Sequence, residues 1–400
     1  MKIKSEANVI ITIDALKKIM VIFLGPFLTA YFIKTSTESM VKLSIYYISS
    51  YFLLGIGTFF VASIIKNKFR IGMFRIGVII NFFYIMAIVI LKEKVTQHLG
   101  LISVLYGISQ SAYWFPYNLF SINKIENSER VNYTVKKSLI ISTIGVLCPV
   151  LLGTIITVSN FELTATIILI ISLVQIICSF LLEPDEHINS LGNYKLIKSW
   201  KKIKNNKQIK KMFLVEFLIG FSTSDGALGT LITILIFNAF KTDMNLGIIS
   251  SISTVLSMCA IKIYGKYSKT KLDKKILVIS SIIPVVSVFA VLLKTNNITI
   301  ILYSFCYEIF VNGILSFSRT VRVFNMSDSK IIKKEEQSEF VSLREGILNL
   351  GRITSYSILL FAGLSRSNIV LNITLIILTL SITLMGIILK DIDTYEELEK

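Results

Sequence analysis

The sequence predicts an all-α integral membrane protein, with twelve transmembrane helices in two pseudo-symmetric six-helix bundles. The first observation is compositional: 53% of the 400 residues are hydrophobic, only 17% are charged, and mean hydropathy is +0.71. Soluble domains carry about 45–50% apolar residues and about 25% charge, so this chain has too little polar surface to cover a globule in water. The second is the series of apolar runs, each near the roughly 20 residues a membrane span requires. The third is the uneven placement of Lys and Arg along the loops.

The runs place helices at Val9 to Ile33, Lys42 to Ile65, Met73 to Leu91, Leu99 to Phe120, Val135 to Ser159 and Leu163 to Leu182 in the first half. In the second half they fall at Met212 to Phe240, Leu246 to Tyr264, Ile276 to Leu293, Ile298 to Phe317, Phe340 to Leu364 and Ile369 to Leu389. They are too long for barrel strands and lack period-two alternation. The first run has a basic start but no small-residue cleavage site after it, so it reads as a retained span rather than a signal peptide. Cys148, Cys178, Cys259 and Cys306 all fall inside spans at unrelated spacings, which indicates packing rather than disulfides or a metal cluster.

A net charge of +17 could be read as a nucleic-acid signal, but the positions of the charges argue otherwise. One set of alternate loops holds only Lys34, Lys42, Lys92, Lys94, Lys241, Lys294 and Arg366. Apart from Lys17, Lys18 and Arg352 inside spans, the rest of the 42 basic residues lie in the set that includes both termini or at the span ends that border it. By the positive-inside rule both termini are then cytoplasmic, which requires an even number of spans. The expected location is the cell membrane, multi-pass.

The organisation follows: residues 1–182 form an N-terminal bundle, 183–211 a basic cytoplasmic linker, and 212–400 a C-terminal bundle with a short acidic tail. In the linker, Leu196, Trp200 and Ile203 recur at helical spacing among lysines, the pattern of an amphipathic helix on an anionic leaflet.

The halves echo one another. Phe27-Leu-Thr-Ala-Tyr-Phe-Ile-Lys34 resembles Leu231-Ile-Thr-Ile-Leu-Ile-Phe-Asn238, each followed by Thr or Ser, an acid and a new span. Both halves then carry a basic loop after their second helix. Six-span halves around a basic central loop are the layout of many secondary transporters. Over essentially its whole length the chain resembles the major facilitator superfamily, and its helix-four end, Tyr113-Trp114-Phe-Pro116-Tyr117-Asn118, is similar to a variant in members from low-GC Gram-positive bacteria. Helix five carries Gly145, Pro149 and Gly153 at four-residue steps, similar to the glycine-proline element of exporters in that family, with Cys148 replacing one usual glycine. The family's loop after helix two usually reads Gly-x-x-x-Asp-Arg-x-Gly-Arg-Arg. Here Ala62-Ser-Ile-Ile-Lys66-Asn-Lys68-Phe-Arg70 keeps the basic charge without the aspartate or glycines, and the arginine that proton-coupled exporters carry early in helix four is missing.

Charged residues inside spans are expensive and become functional candidates by default. Asp14, Lys17 and Lys18 sit at i, i+3 and i+4, so the acid can pair with either lysine. Asp225 lies near mid-depth in Ser222-Thr-Ser-Asp225-Gly226, a stretch that suggests a loosened helix, and Glu308 lies at similar depth with Tyr303 and Tyr307 around it. Either acid can exchange a proton, serve as a structural hydrogen-bond partner, or neutralise Arg352. Glu345 and Arg352 are seven apart on one face of helix eleven, where the arginine requires an acid or an anionic substrate group. Tyr106, Gln110, Tyr113 and Tyr117 form one stripe on helix four, which either lines a wet cavity and meets substrate or packs against another helix. The resemblance implies that helices one, four, seven and ten line a central cavity.

The functional expectation is a secondary active transporter of a small solute by alternating access, coupled to protons, with export of an amphipathic compound or peptide ahead of nutrient uptake or lipid flipping. No Gly-x-x-x-x-Gly-Lys-Ser/Thr motif is present to drive transport with ATP. An enzyme is not expected, because His98 and His187 lie at loops and no His-Glu-x-x-His occurs. The expected partners are the bilayer, a small-molecule substrate and protons, with no nucleic acid, cofactor or metal, acting on a monomer.

Overall fold

A computed structural model describes residues 2–65, 69–123, 130–183, 194–203, 205–224, 226–268, 270, 272–328, 332 and 336–392. Asp225, the Lys66 to Lys68 part of the second loop, residues 184–193 and 204 of the linker, and residues 393–400 of the acidic tail therefore lie outside the described residues.

Among the described residues the chain is helical and has twelve long helices. The first, α1, runs as Lys2–Ile22, a π-helical turn Phe23–Phe27 and Leu28–Thr35; α2 is Ser39–Ile65, α3 Arg70–Leu91, α4 Leu99–Asn123, α5 Arg130–Val158 and α6 Phe161–Phe180. Then α7 comprises Lys207–Ser222 and Ala227–Phe240, α8 is Asp243–Tyr267, α9 Asp273–Leu293, and α10 consists of Asn297–Cys306, the π-helical Tyr307–Leu315 and Ser316–Asp328. The last two are α11, Gln337–Ser365, and α12, Asn368–Leu389. Ten of these are long and apolar enough to cross a membrane. The other two are α1, which carries Asp14, Lys17 and Lys18, and α4, which carries the Tyr106 to Tyr117 stripe.

Local chemistry sets the ends and breaks. Asn160 caps α6 by accepting from Leu163 N at 2.7 Å, and Asn296 forms a capping box with Thr299 at the start of α10. Pro26 sits within the π turn of α1; a proline cannot donate to the helical ladder, and the wider turn accommodates it. Lys92, Lys241 and Arg366 end α3, α7 and α11 with positive φ, placing cations where helix carbonyls are unsatisfied.

The chain divides into two compact units: residues 1–42, 49–194 and 242–251, and residues 43–48, 195–241 and 252–400. In the first unit α3 lies along α4, and a Cβ at Gly77 would meet the backbone of Ala112 and Tyr113 at 2.6 Å. The α5 element makes a similar approach, since Pro149 O and Gly153 face the backbone of Gly247 and Asp243, while Asp243 pairs with Lys34. In the second unit Gly220 and Gly351 bring α7 and α11 into backbone contact. Large apolar side chains point outward on most spans, Phe60 at 66% and Ile90 at 67% exposure among them, as a lipid-facing surface requires.

The linker segment Leu196–Ile203 is helical, as its spacing predicted. Its Trp200 stacks on Phe213 at 6.0 Å and Lys195 N donates to Glu339 Oε1 at 3.0 Å, so part of the apolar face expected to meet lipid is docked on protein.

Candidate functional site

In the first unit the buried polar residues form two adjoining groups. Asp14 does not pair with Lys17 or Lys18. Its carboxylate takes Lys137 of α5 at 2.6 Å and also accepts from the Tyr117 hydroxyl, while Lys137 donates to the Tyr117 oxygen at 3.0 Å. The expected local pair gives way to one between helices, because α5 packs beside α1 and presents Lys137 to Asp14.

Lys17 turns the other way. It is 3% exposed, and its Nζ donates to Asn81 Oδ1 at 3.4 Å and lies 4.5 Å from the Tyr113 ring centroid and 6.0 Å from that of Trp114. Asn81 Oδ1 also accepts from Gln110 Nε2 at 3.2 Å, and Trp114 Nε1 donates to Gln110 Oε1 at 3.1 Å. The ammonium thus sits in a cage of amides and aromatic faces contributed by α3 and α4, with no acid in ion-pair contact among the described residues. Lys18 is half-buried outside this cage.

The helix-four stripe does share one environment, but that environment is the interior of its own unit. Gln110 is 3% exposed, Tyr113 and Tyr117 are buried against Phe74, and the half-buried Tyr106 packs on Tyr84 at 5.3 Å. Helix α3 offers Phe74, Asn81 and Tyr84 at matching heights and packs against the stripe. Trp114 is the exposed member of this neighbourhood.

The second unit holds several of its buried charges in pairs. Glu216 on α7, fully buried, accepts both arms of Arg319 on α10, with Nε to Oε1 at 2.7 Å. Arg344 donates to Glu345 at 2.8 Å. Arg352 donates to Asn349 at 2.9 Å. Glu308, half-buried in the π-helical stretch of α10, accepts from Asn312 at 2.8 Å. Tyr303 is buried and bonded to Thr379 at 2.8 Å, and Tyr307 donates weakly to Ser222 O at 3.4 Å, so both tyrosines expected to meet substrate pack against α12 and α7. Helix α7 breaks after Ser222 as its Ser-Thr-Ser-Asp-Gly stretch suggested. Ser355 Oγ accepts from Ala227 N at 3.2 Å and Tyr356 donates to Gly226 O at 3.3 Å, satisfying backbone groups that the break frees. Asp225 itself is outside the described residues.

Sequence reasoning missed Asn81, Lys137, Arg319 and the buried Arg322–Asp273 pair. Asn81 had a signal: it is the one side-chain amide in the Met73 to Leu91 span, deep among apolar neighbours. Arg319 and Arg322 read as loop residues because the apolar run of α10 ends at Phe317, whereas the helix continues to Asp328.

Two units of long apolar helices with buried ion pairs and broken or π-helical turns define a multi-pass membrane protein built as a secondary transporter is built. The chain belongs to the Major Facilitator Superfamily, whose sequence profile matches residues 9–356. It is 23% identical over 389 residues to the uncharacterized protein YqgE of Bacillus subtilis, covering 96% of this chain and 89% of that one. Among solved structures it is similar to the nucleoside transporter NupG, with a TM-score of 0.70, 15% identity and coverage of 96% and 99% of the two chains. A bacterial metal transporter matches with a TM-score of 0.57 at 12% identity, over 97% of this chain and 98% of that one. At these identities the two structural likenesses establish the fold alone.

Proposed function

We propose that this protein is a proton-coupled secondary transporter that exports a small amphipathic solute by alternating access. It acts as a monomer in the cell membrane, with both termini and the 183–211 linker in the cytoplasm and its two bundles divided at that linker. The observation that carries the coupling is the placement of Glu308: a half-buried carboxylate, bonded to the neutral Asn312, within nine residues of π-helix at mid-span. Such irregular turns mark functional positions in helices, and an intramembrane carboxylate is a natural proton carrier. The close backbone approach at Pro149 and Gly153, in the helix-five element that resembles one found in exporters, supports the outward direction.

The test uses proteoliposomes with a pH-sensitive dye inside and a panel of amphipathic solutes outside. Addition of a transported solute should move protons across the membrane. Glu308→Gln should abolish that movement while leaving solute counterflow. Proton movement that persists in the variant would remove Glu308 from coupling. Accumulation only toward the linker side would reverse the direction in favour of uptake, and cysteine labelling within the linker without permeabilisation would overturn the topology.

A further inference from the structure

Lys17 is a buried charge that has no opposite charge in ion-pair contact among the described residues. The neighbouring acid, Asp14, is already engaged by Lys137 and Tyr117. Lys17 has three N–H donors and, among the described residues, one acceptor, Asn81 Oδ1 at the long distance of 3.4 Å, an oxygen it shares with Gln110. An aromatic face at 4.5 Å compensates an ammonium in part, by roughly 2 kcal/mol when desolvated, which is less than the several kcal/mol an ion loses on leaving water. The arrangement is therefore under-satisfied in a way that one incoming anion would complete.

We propose that Lys17 is the receptor for an organic carboxylate on the transported solute. This deepens the transporter reading above and rests on it. The carboxylate takes the ammonium donors that Asn81 leaves free, and the body of the solute lies along Trp114. The choice of a monoanion follows from charge: one lysine balances one negative charge, whereas a phosphate would bring a second that nothing in the cage offsets. A single ammonium also lacks the two-pronged fork with which arginine grips phosphate. Trp114, 38% exposed and standing edge-on to Tyr113 at 5.0 Å, gives the approach an apolar planar wall, which fits a carboxylate joined to an aromatic or aliphatic body.

Binding is measured on the full-length protein in lipid nanodiscs, so the result does not depend on transport. The chain has two tryptophans, and in a Trp200→Phe background the emission reports on Trp114. The probes are benzoate, phenylacetate and 3-phenylpropionate, each paired with its primary amide, and inorganic phosphate. The expected result is saturable change with at least one acid, binding at least about tenfold more tightly than its amide. That preference should vanish in Lys17→Met and Lys17→Gln and survive in Lys17→Arg. Asn81→Asp is a second route that keeps the lysine: an internal carboxylate at the position of Oδ1 should compete with the acids and weaken them by a similar factor. Equal binding of acids and amides, no binding by any acid, tighter binding of inorganic phosphate, or an acid preference that persists in Lys17→Met or in Asn81→Asp would each overturn the proposal. Acid binding with no solute flux in vesicles would instead count against the transporter reading and leave the site standing.

Discussion

Two buried polar centres, one in each unit, solve the same electrostatic problem differently. In the second unit Glu216 and Arg319 meet through two hydrogen bonds, and Arg344 meets Glu345, so these buried charges have opposite charges beside them. In the first unit Lys17 rests on an amide oxygen and two aromatic faces, although an aspartate lies three residues away on the same helix. The paired centre is built to stay as it is, because separating its members leaves a bare charge in a dry interior. The Lys17 cage is held by weaker, neutral contacts, and it is the centre that can gain by admitting a partner.

The comparison is broken most severely by removing one member of the pair. Glu216→Gln strands Arg319 and should lower unfolding stability by about 3–5 kcal/mol, read as a fall in the denaturation midpoint of the purified protein. A double change of Glu216 and Arg319 to apolar residues of similar volume should recover much of that loss. The next largest effect is expected at Gln110, whose amide joins Asn81 to Trp114. Gln110→Ala removes the acceptor of Trp114 Nε1 and one of the two donors to Asn81 Oδ1 and should cost about 1–3 kcal/mol, with a shifted Trp114 emission that a merely structural change elsewhere would not produce. The smallest effect sharpens the comparison within the first unit. Asp14→Asn frees Lys137, whose side chain is 33% exposed and can turn to water, so the loss should stay within about 1 kcal/mol. A loss as large as that of Glu216→Gln would make the Asp14 pair a fixed structural lock.

The helices were legible from the chain because membrane spans are read from apolar length alone, and the twelve runs mark the twelve long helices. Their ends were not. At Arg130 to Thr134 and at Ser318 to Asp328 the helices extend past their apolar runs into polar and basic sequence, where composition no longer separates helix from loop. The second boundary matters for the buried pairs: Arg319 reaches Glu216 only because its extension is helical. The charges inside the spans were equally legible, since Asp14, Lys17, Glu308, Glu345 and Arg352 stand out against apolar neighbours. Their partners were not, because spacing along α1 offers Asp14 two lysines while packing turns Lys17 toward Asn81 on another helix. The helix-four stripe shows the same limit: its periodicity correctly implies one shared face, but only the position of α3 decides that the face is covered.

The central claim is that Lys17 is a buried cation without an opposite charge in contact. Unfolding of Lys17→Met, followed beside wild type and Glu216→Gln in the same micelles, tests it most directly. Methionine keeps most of the length and removes the charge, so the account predicts a denaturation midpoint equal to or above wild type while Glu216→Gln falls well below it. A fall in Lys17→Met as large as that of Glu216→Gln would contradict the account, because it would mean that the ammonium is already held by a partner as strong as a carboxylate.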